Sequence, residues 1–128
     1  MVSMERVYAA GSCNISKDEA RLRLAAGWIG TLLTMAAGAA FVLLGVPRGW
    51  RSVLFLPAVL GASGFLQAAF HFCANYGWRG VFNVKDAVGE TQRITDPAFR
   101  KQDRRKALVI MGWSALVGAA AAVADILL

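Results

Sequence analysis

The side chains best placed to do chemistry are Ser63, Gln67, His71 and Asn75, which recur every fourth residue through an otherwise apolar stretch. On one helix that spacing puts them on a single, slowly drifting face. Thr31 and Ser114 fall at a comparable depth in two other apolar stretches. Polar groups in such surroundings turn toward partners. Together these residues predict either interhelical hydrogen bonds that hold a bundle together or the lining of a ligand or permeation site. His71 is the only histidine. A haem with two histidine ligands needs a second chain or another ligand type. A chlorophyll-type magnesium needs only one axial ligand from the protein. Phe65, Phe70 and Phe72 flank His71 in sequence and are candidates to contact a ring. No cofactor is expected, with a pigment or haem at His71 as the alternative.

Cys13 and Cys73 are not in Cys-x-x-Cys spacing, and His71 and Cys73, two apart, diverge around a helix. No metal site is therefore expected. Asp125 lies near the end of the third apolar stretch, and its natural partners are Arg48 and Arg51, which predicts a structural ion pair. Arg100, Lys101, Arg104, Arg105 and Lys106 place five basic residues within seven, just ahead of the third stretch. Such a cluster attracts anionic lipid, each charge contributing about 1 kcal/mol. It is not read as a nucleic-acid surface, because no aromatic residues interleave it and no reader motif accompanies it. No Ser-His-Asp set, phosphate loop or paired carboxylates occurs, and the chain is read as non-enzymatic.

The elements that must position these residues are three apolar runs, Leu24 to Val46, Val53 to about Phe72, and Ala107 to Ala124. Of the 128 residues, 57% are hydrophobic and 17% charged, with a net charge of +6. A soluble domain carries about a quarter charged residues. The apolar content excludes disorder. Hydrocarbon about 30 Å thick needs about 20 apolar residues of helix, and in lipid every backbone amide needs an internal partner. The expected fold is all-α: one polytopic membrane domain over residues 1–128, with three transmembrane helices in a small bundle. Their bounds are read as about 17–46, 53–76 and 97–127, with a loop over 77–96.

Local signals set those bounds. Ser16 and Glu19 have capping-box spacing, with Ile15 and Ala20 placed as a hydrophobic staple. Pro47 and Gly49 mark a short link, so the first two helices are antiparallel neighbours, and Pro57 bends the second near its start. Asp96-Pro97 is a cap followed by a residue preset for the first turn. Residues 81–84 read as a short strand, with a turn near Gly89-Glu90. Residues 1–23 lack the apolar core of a signal peptide, so the first span is expected to remain. Trp28, Trp50 and Trp78 fall at span ends, whereas Trp113 lies deeper and is expected to be packed.

Orientation follows from the basic residues. Residues 1–23 and 77–106 hold twelve of the fourteen, and Arg48 and Arg51 are the others. The N-terminus and residues 77–106 are expected in the cytoplasm and the C-terminus outside, in a bacterial inner membrane. Gly27, Gly38, Gly61, Gly64 and Gly118 stand at helix-contact spacing and predict close packing, within the chain or against other helices.

Asn14-Ile15-Ser16 through Glu19, Arg21, Arg23 and Gly27, and Phe72-Cys73-Ala74-Asn75-Tyr76-Gly77-Trp78-Arg79-Gly80, form two motif-like patches. They resemble the opening and closing stretches of a family of short bacterial inner-membrane domains of unknown function, some fused to rhodanese-type sulfurtransferases. The resemblance covers residues 13–80 and implies a two-helix hairpin with helix-mediated association. This chain adds a third helix and lacks the proline that commonly follows that family's cysteine. The leading expectation is a small structural subunit that packs against partner helices of a larger membrane complex. The alternatives are a homo-oligomeric channel or transporter lined by Gln67, His71 and Thr31, and a pigment- or haem-binding subunit.

Overall fold

The computed structural model describes residues 8–84 and 91–128. Its helices are α1 (Lys17–Leu43), α2 (Phe55–Phe70), α3 (Ala74–Arg79) and α4 (Pro97–Leu127). A 3-10 helix (Arg48–Leu54) leads into α2, and β1 (Val81–Phe82) pairs antiparallel with β2 (Gln92–Arg93). Lys17–Leu43, Arg48–Phe70 and Pro97–Leu127 are long and apolar enough to cross a membrane.

The layering is the reverse of a soluble core. Trp28, Ile29, Leu32, Leu33 and Met35 on α1, and Leu108, Trp113, Leu116 and Val117 on α4, face outward. Most buried positions in the spans are small: Gly27, Gly30 and Gly38 on α1, Ala58, Gly61 and Gly64 on α2, and Ser114, Gly118 and Ala122 on α4, with Ile110 and Leu54 the large apolar exceptions. In water so continuous an exposed apolar surface would drive association. Trp113, expected to be packed, is 60% exposed. Ile110, Ser114 and Gly118 occupy the face of α4 that meets its neighbours, and Trp113 falls off that face.

α2 is the central helix. It packs on both α1 and α4, which scarcely touch each other. The α1–α2 seam is backbone against backbone. A Cβ at Gly30 would collide with the Gly61 backbone, and one at Gly64 with that of Gly27. A Cβ at Gly61 would lie 2.9 Å from the Thr31 nitrogen. Gly118 sits against Val59 and Phe55, and a Cβ at Gly38 would lie 3.1 Å from Asp125 Oδ1. The five glycines expected at contacts are therefore all at contacts within the chain. Gly30, not singled out from sequence, belongs with them and was signalled by its three-residue spacing from Gly27, matched by Gly61 and Gly64.

Two helix ends depart from expectation. α1 stops at Leu43 rather than 46 because Gly45 is left-handed (φ 66°). Val46 N–H then bonds to Phe41 C=O and Gly45 N–H to Val42 C=O, the closing bonds of a Schellman motif. The second helix does not run to 76. His71 is itself left-handed (φ 50°, ψ 45°), with Phe72 N–H on Gln67 C=O and His71 N–H on Ala68 C=O. The chain then restarts as α3. Pro57 falls in the first turn of α2, directly after the 3-10 helix.

Asp96 caps α4 as expected, its Oδ1 accepting from Ala98 N–H at 2.9 Å. The capping box on α1 does not form. Ser16 takes the N-cap place without a side-chain bond, and Glu19 turns inward to other partners. The strand expected over 81–84 is Val81–Phe82 alone, and Asn83 instead bridges to Ile15. The turn expected near Gly89-Glu90 lies outside the described residues.

Candidate functional site

The polar side chains gather at two ends of the bundle. At the first, where α1 and α4 begin and α2 ends, Asn14 is wholly buried and acts as a splice. Its N–H donates to His71 C=O (3.1 Å), and its C=O accepts from Asn83 N–H (2.9 Å). Its side chain accepts from Cys73 N–H (2.7 Å) and donates to Cys73 C=O (3.2 Å). Asn14 thus satisfies the backbone where α2 breaks, a place that would otherwise leave buried amides unpaired.

Glu19, 1% exposed, lies beside it. Its Oε2 accepts from Tyr76 Oη and from Asn83 Nδ2 (3.2 Å). Arg23 stands 3.7 Å from Glu19 Oε1, donates to Cys73 Sγ at 3.1 Å and lies over the Tyr76 ring. Burial, then the hydrogen bond to Glu19, pushes the Tyr76 phenol up to about 12. On α4, buried Asp103 accepts from Tyr8 Oη and from Gly11 N–H, each at 2.7 Å. Tyr8 is raised as well, by burial and then by that bond. Ile15, Ala20, Cys73, Tyr76 and Val81 form the apolar layer around Glu19, which keeps Ile15 and Ala20 together as the staple requires. The two patches that carried the family resemblance are therefore one buried unit: Asn14, Glu19 and Arg23 of the first hold Cys73 and Tyr76 of the second.

The expected four-residue stripe is not one face. Ser63 Oγ donates to Leu60 C=O (3.1 Å), and Gln67 Nε2 donates to Ser63 C=O (3.1 Å). Gln67 Oε1 accepts from Ala74 N–H (2.9 Å), so Gln67 caps α3. His71 is the left-handed residue that ends α2. Asn75 sits on α3 with Arg79 at its Oδ1 (3.3 Å). Thr31 packs on Gly61, and Ser114, fully buried, bonds back to Ile110 C=O at 2.8 Å. Ser63, Gln67 and Ser114 satisfy local backbone, and the six residues are spread over all four helices rather than one face.

Nor do the phenylalanines surround His71. Phe72 is fully buried with Ala74, Ala107 and Ile110, Phe65 stacks edge-on to Trp28, and Phe70 lies under Lys106. The groove at His71, shared with Lys17, Arg21 and Leu24, holds about 200 Å³. That is below the size of an ordinary ligand pocket.

At the far end, Asp125 and Arg51 are both buried, but they do not form the expected carboxylate ion pair. Arg51 Nη1 donates to the backbone carbonyl of Asp125 (3.0 Å) and its Nε to Val46 C=O (3.0 Å). A guanidinium among the last carbonyls of α4 complements the negative end of that helix. Arg48 is exposed. Asp125 Oδ2 is buried with no hydrogen-bond partner. Its residue lines an open groove between α1 and α4, about 510 Å³, walled by Thr34, Gly38, Ala39, Ala121 and Ala124.

Sequence reasoning missed Asn14, Glu19, Asn83 and Asp103 as network members: Glu19 reads as a cap and Asn14 as part of a motif, and Asn83 and Asp103 read as ordinary surface polar residues. No family model, curated protein or solved structure matches the chain.

Proposed function

We propose that this chain is a non-enzymatic integral membrane subunit whose role is to pack against helices of a larger membrane assembly. In this reading the N-terminus and residues 77–106 lie in the cytoplasm of a bacterium and the C-terminus on the outer side of the inner membrane. The inverted layering of small residues within and large apolar residues without supports the membrane setting. The observation that carries the packing role is the open α1–α4 groove. The other small-residue seams are filled by this chain's own helices, but Thr34, Gly38, Ala39, Ala121 and Ala124 leave a groove of about 510 Å³ beside a buried carboxylate. Small residues permit the close backbone approach that drives helix association in lipid.

Ala39→Leu with Ala124→Leu fills that groove from two exposed positions. Light scattering and native gels in mild detergent should show the wild-type chain in an assembly larger than one protomer and the double variant released from it. A wild-type chain that is strictly monomeric with no co-purifying subunit overturns the reading. A reporter fused after Leu128 that is active only in the cytoplasm overturns the orientation.

A further inference from the structure

The basic run ahead of the third span is divided in use. Arg104 Nε donates to Trp78 C=O at 3.2 Å and its guanidinium lies 5.4 Å from the Trp78 ring centre. Arg100 covers Gly80, where a Cβ would meet its Nε at 2.9 Å. The Lys106 ammonium lies 4.1 Å from the centre of the Phe70 ring. These three contacts tie the polar end together. Lys101 and Arg105 are exposed, and among the described residues neither meets a carboxylate or an aromatic ring.

Lys101 and Arg105 share a face of α4 with Ala98, Gln102 and Val109. That face, together with Lys106, forms one wall of a groove of about 600 Å³, and Gly11 forms the other. The Gly11 wall is fixed, because Asp103 accepts its N–H and also anchors Tyr8. The groove is thus cationic toward the polar end and apolar at Val109, where the span begins.

We infer that this groove binds one anionic phospholipid, its phosphate held by Lys101 and Arg105 and an acyl tail running down α4 past Val109. The inference rests on the membrane reading above and narrows it from a basic cluster facing anionic lipid to a single site. Charge complementarity selects the occupant: two unpaired cations meet an anion, and guanidinium geometry suits phosphate oxygens. The apolar floor leading into the span separates a lipid from free phosphate. Arg100 and Arg104, which do not line the groove, are positioning residues for the fold and add little to this binding.

Native mass spectrometry of the full-length protein in detergent, titrated with dioleoyl phosphatidylglycerol or dioleoyl phosphatidylcholine, tests it. One phosphatidylglycerol per protomer should bind in preference to phosphatidylcholine. Lys101→Gln with Arg105→Gln should cut that preference roughly thirtyfold, the loss of two such charges. Arg100→Gln with Arg104→Gln removes the same charge and should change it less than about twofold. Arg21→Gln with Arg93→Gln serves as a second charge-matched control, with helicity checked by circular dichroism. Equal losses in all pairs mean diffuse attraction and overturn the site, as does a wild-type protein with no preference. Displacement by inorganic phosphate as effective as phosphatidylglycerol overturns the lipid assignment. A protein that sediments apart from membranes defeats the membrane reading itself, whereas an integral protein without lipid preference defeats only this inference.

Discussion

Glu19 and Asp125 are both buried carboxylates, one near the start of α1 and one near the end of α4, and their surroundings are opposites. Glu19 has Tyr76 and Asn83 as hydrogen-bond donors and Arg23 as a counter-charge. Asp125 has an oxygen with no partner, although an arginine is close enough to bond its own backbone. A buried charge that is paired and hydrogen-bonded holds a structure together, whereas an incompletely paired one is a cost the fold tolerates. The glycine seams repeat the contrast. Between α1 and α2 the backbones touch, and between α1 and α4 they stand apart around a groove. One carboxylate is enclosed by its partners, and the other borders an open groove.

Substitutions at the two ends should differ accordingly. The largest effect is expected for Gly64→Val, which drives a side chain into the Gly27 backbone with nothing able to move aside. Its cost should exceed about 3 kcal/mol, and thermal melting in detergent should find no cooperative transition. Glu19→Ala comes next, at about 3 kcal/mol, because it strands Arg23 and the donors of Tyr76 and Asn83 in a buried site. Chemical denaturation reads this directly. A loss below about 1 kcal/mol would erase the contrast between the ends.

Tyr76 sharpens the comparison through pH. Its phenol stays protonated in the fold up to about 12, against an ordinary value of 10. The wild-type advantage over Tyr76→Phe should therefore be complete below pH 10. It should fade as pH rises and be gone above about pH 12, as the folded phenol gives up the proton it donates to Glu19. An advantage that instead grows through that window contradicts the assigned bond. The smallest effect is expected for Asp125→Ala. Removing a carboxylate that is not fully bonded should change stability by less than about 1 kcal/mol in either direction. Its consequence should appear in association, measured by light scattering.

The three apolar helices, the Asp96-Pro97 start of α4 and the contact glycines were legible because each depends on local composition or helical spacing. The capping box was a misreading of Glu19. Its spacing from Ser16 was right, but Tyr76 and Asn83, far along the sequence, offer it better partners than the helix N-terminus does. The polar stripe failed for a related reason. A four-residue period presumes an unbroken helix, and His71 turns left-handed where Asn14 can satisfy the freed backbone. The Asp125–Arg51 pair was right about proximity and wrong about atoms, because the last carbonyls of α4 compete for the guanidinium.

The sequence by itself determined three apolar helices and which residues are small enough to let them touch, since hydrophobic run length and glycine spacing act locally. Only the tertiary structure decided which carboxylate is complete and which is not, which basic residues remain unpaired, and which groove stays open. Those outcomes depend on donors brought together from distant parts of the sequence. Hydrogen-bond satisfaction belongs to the assembled neighbourhood, and no linear spacing encodes it.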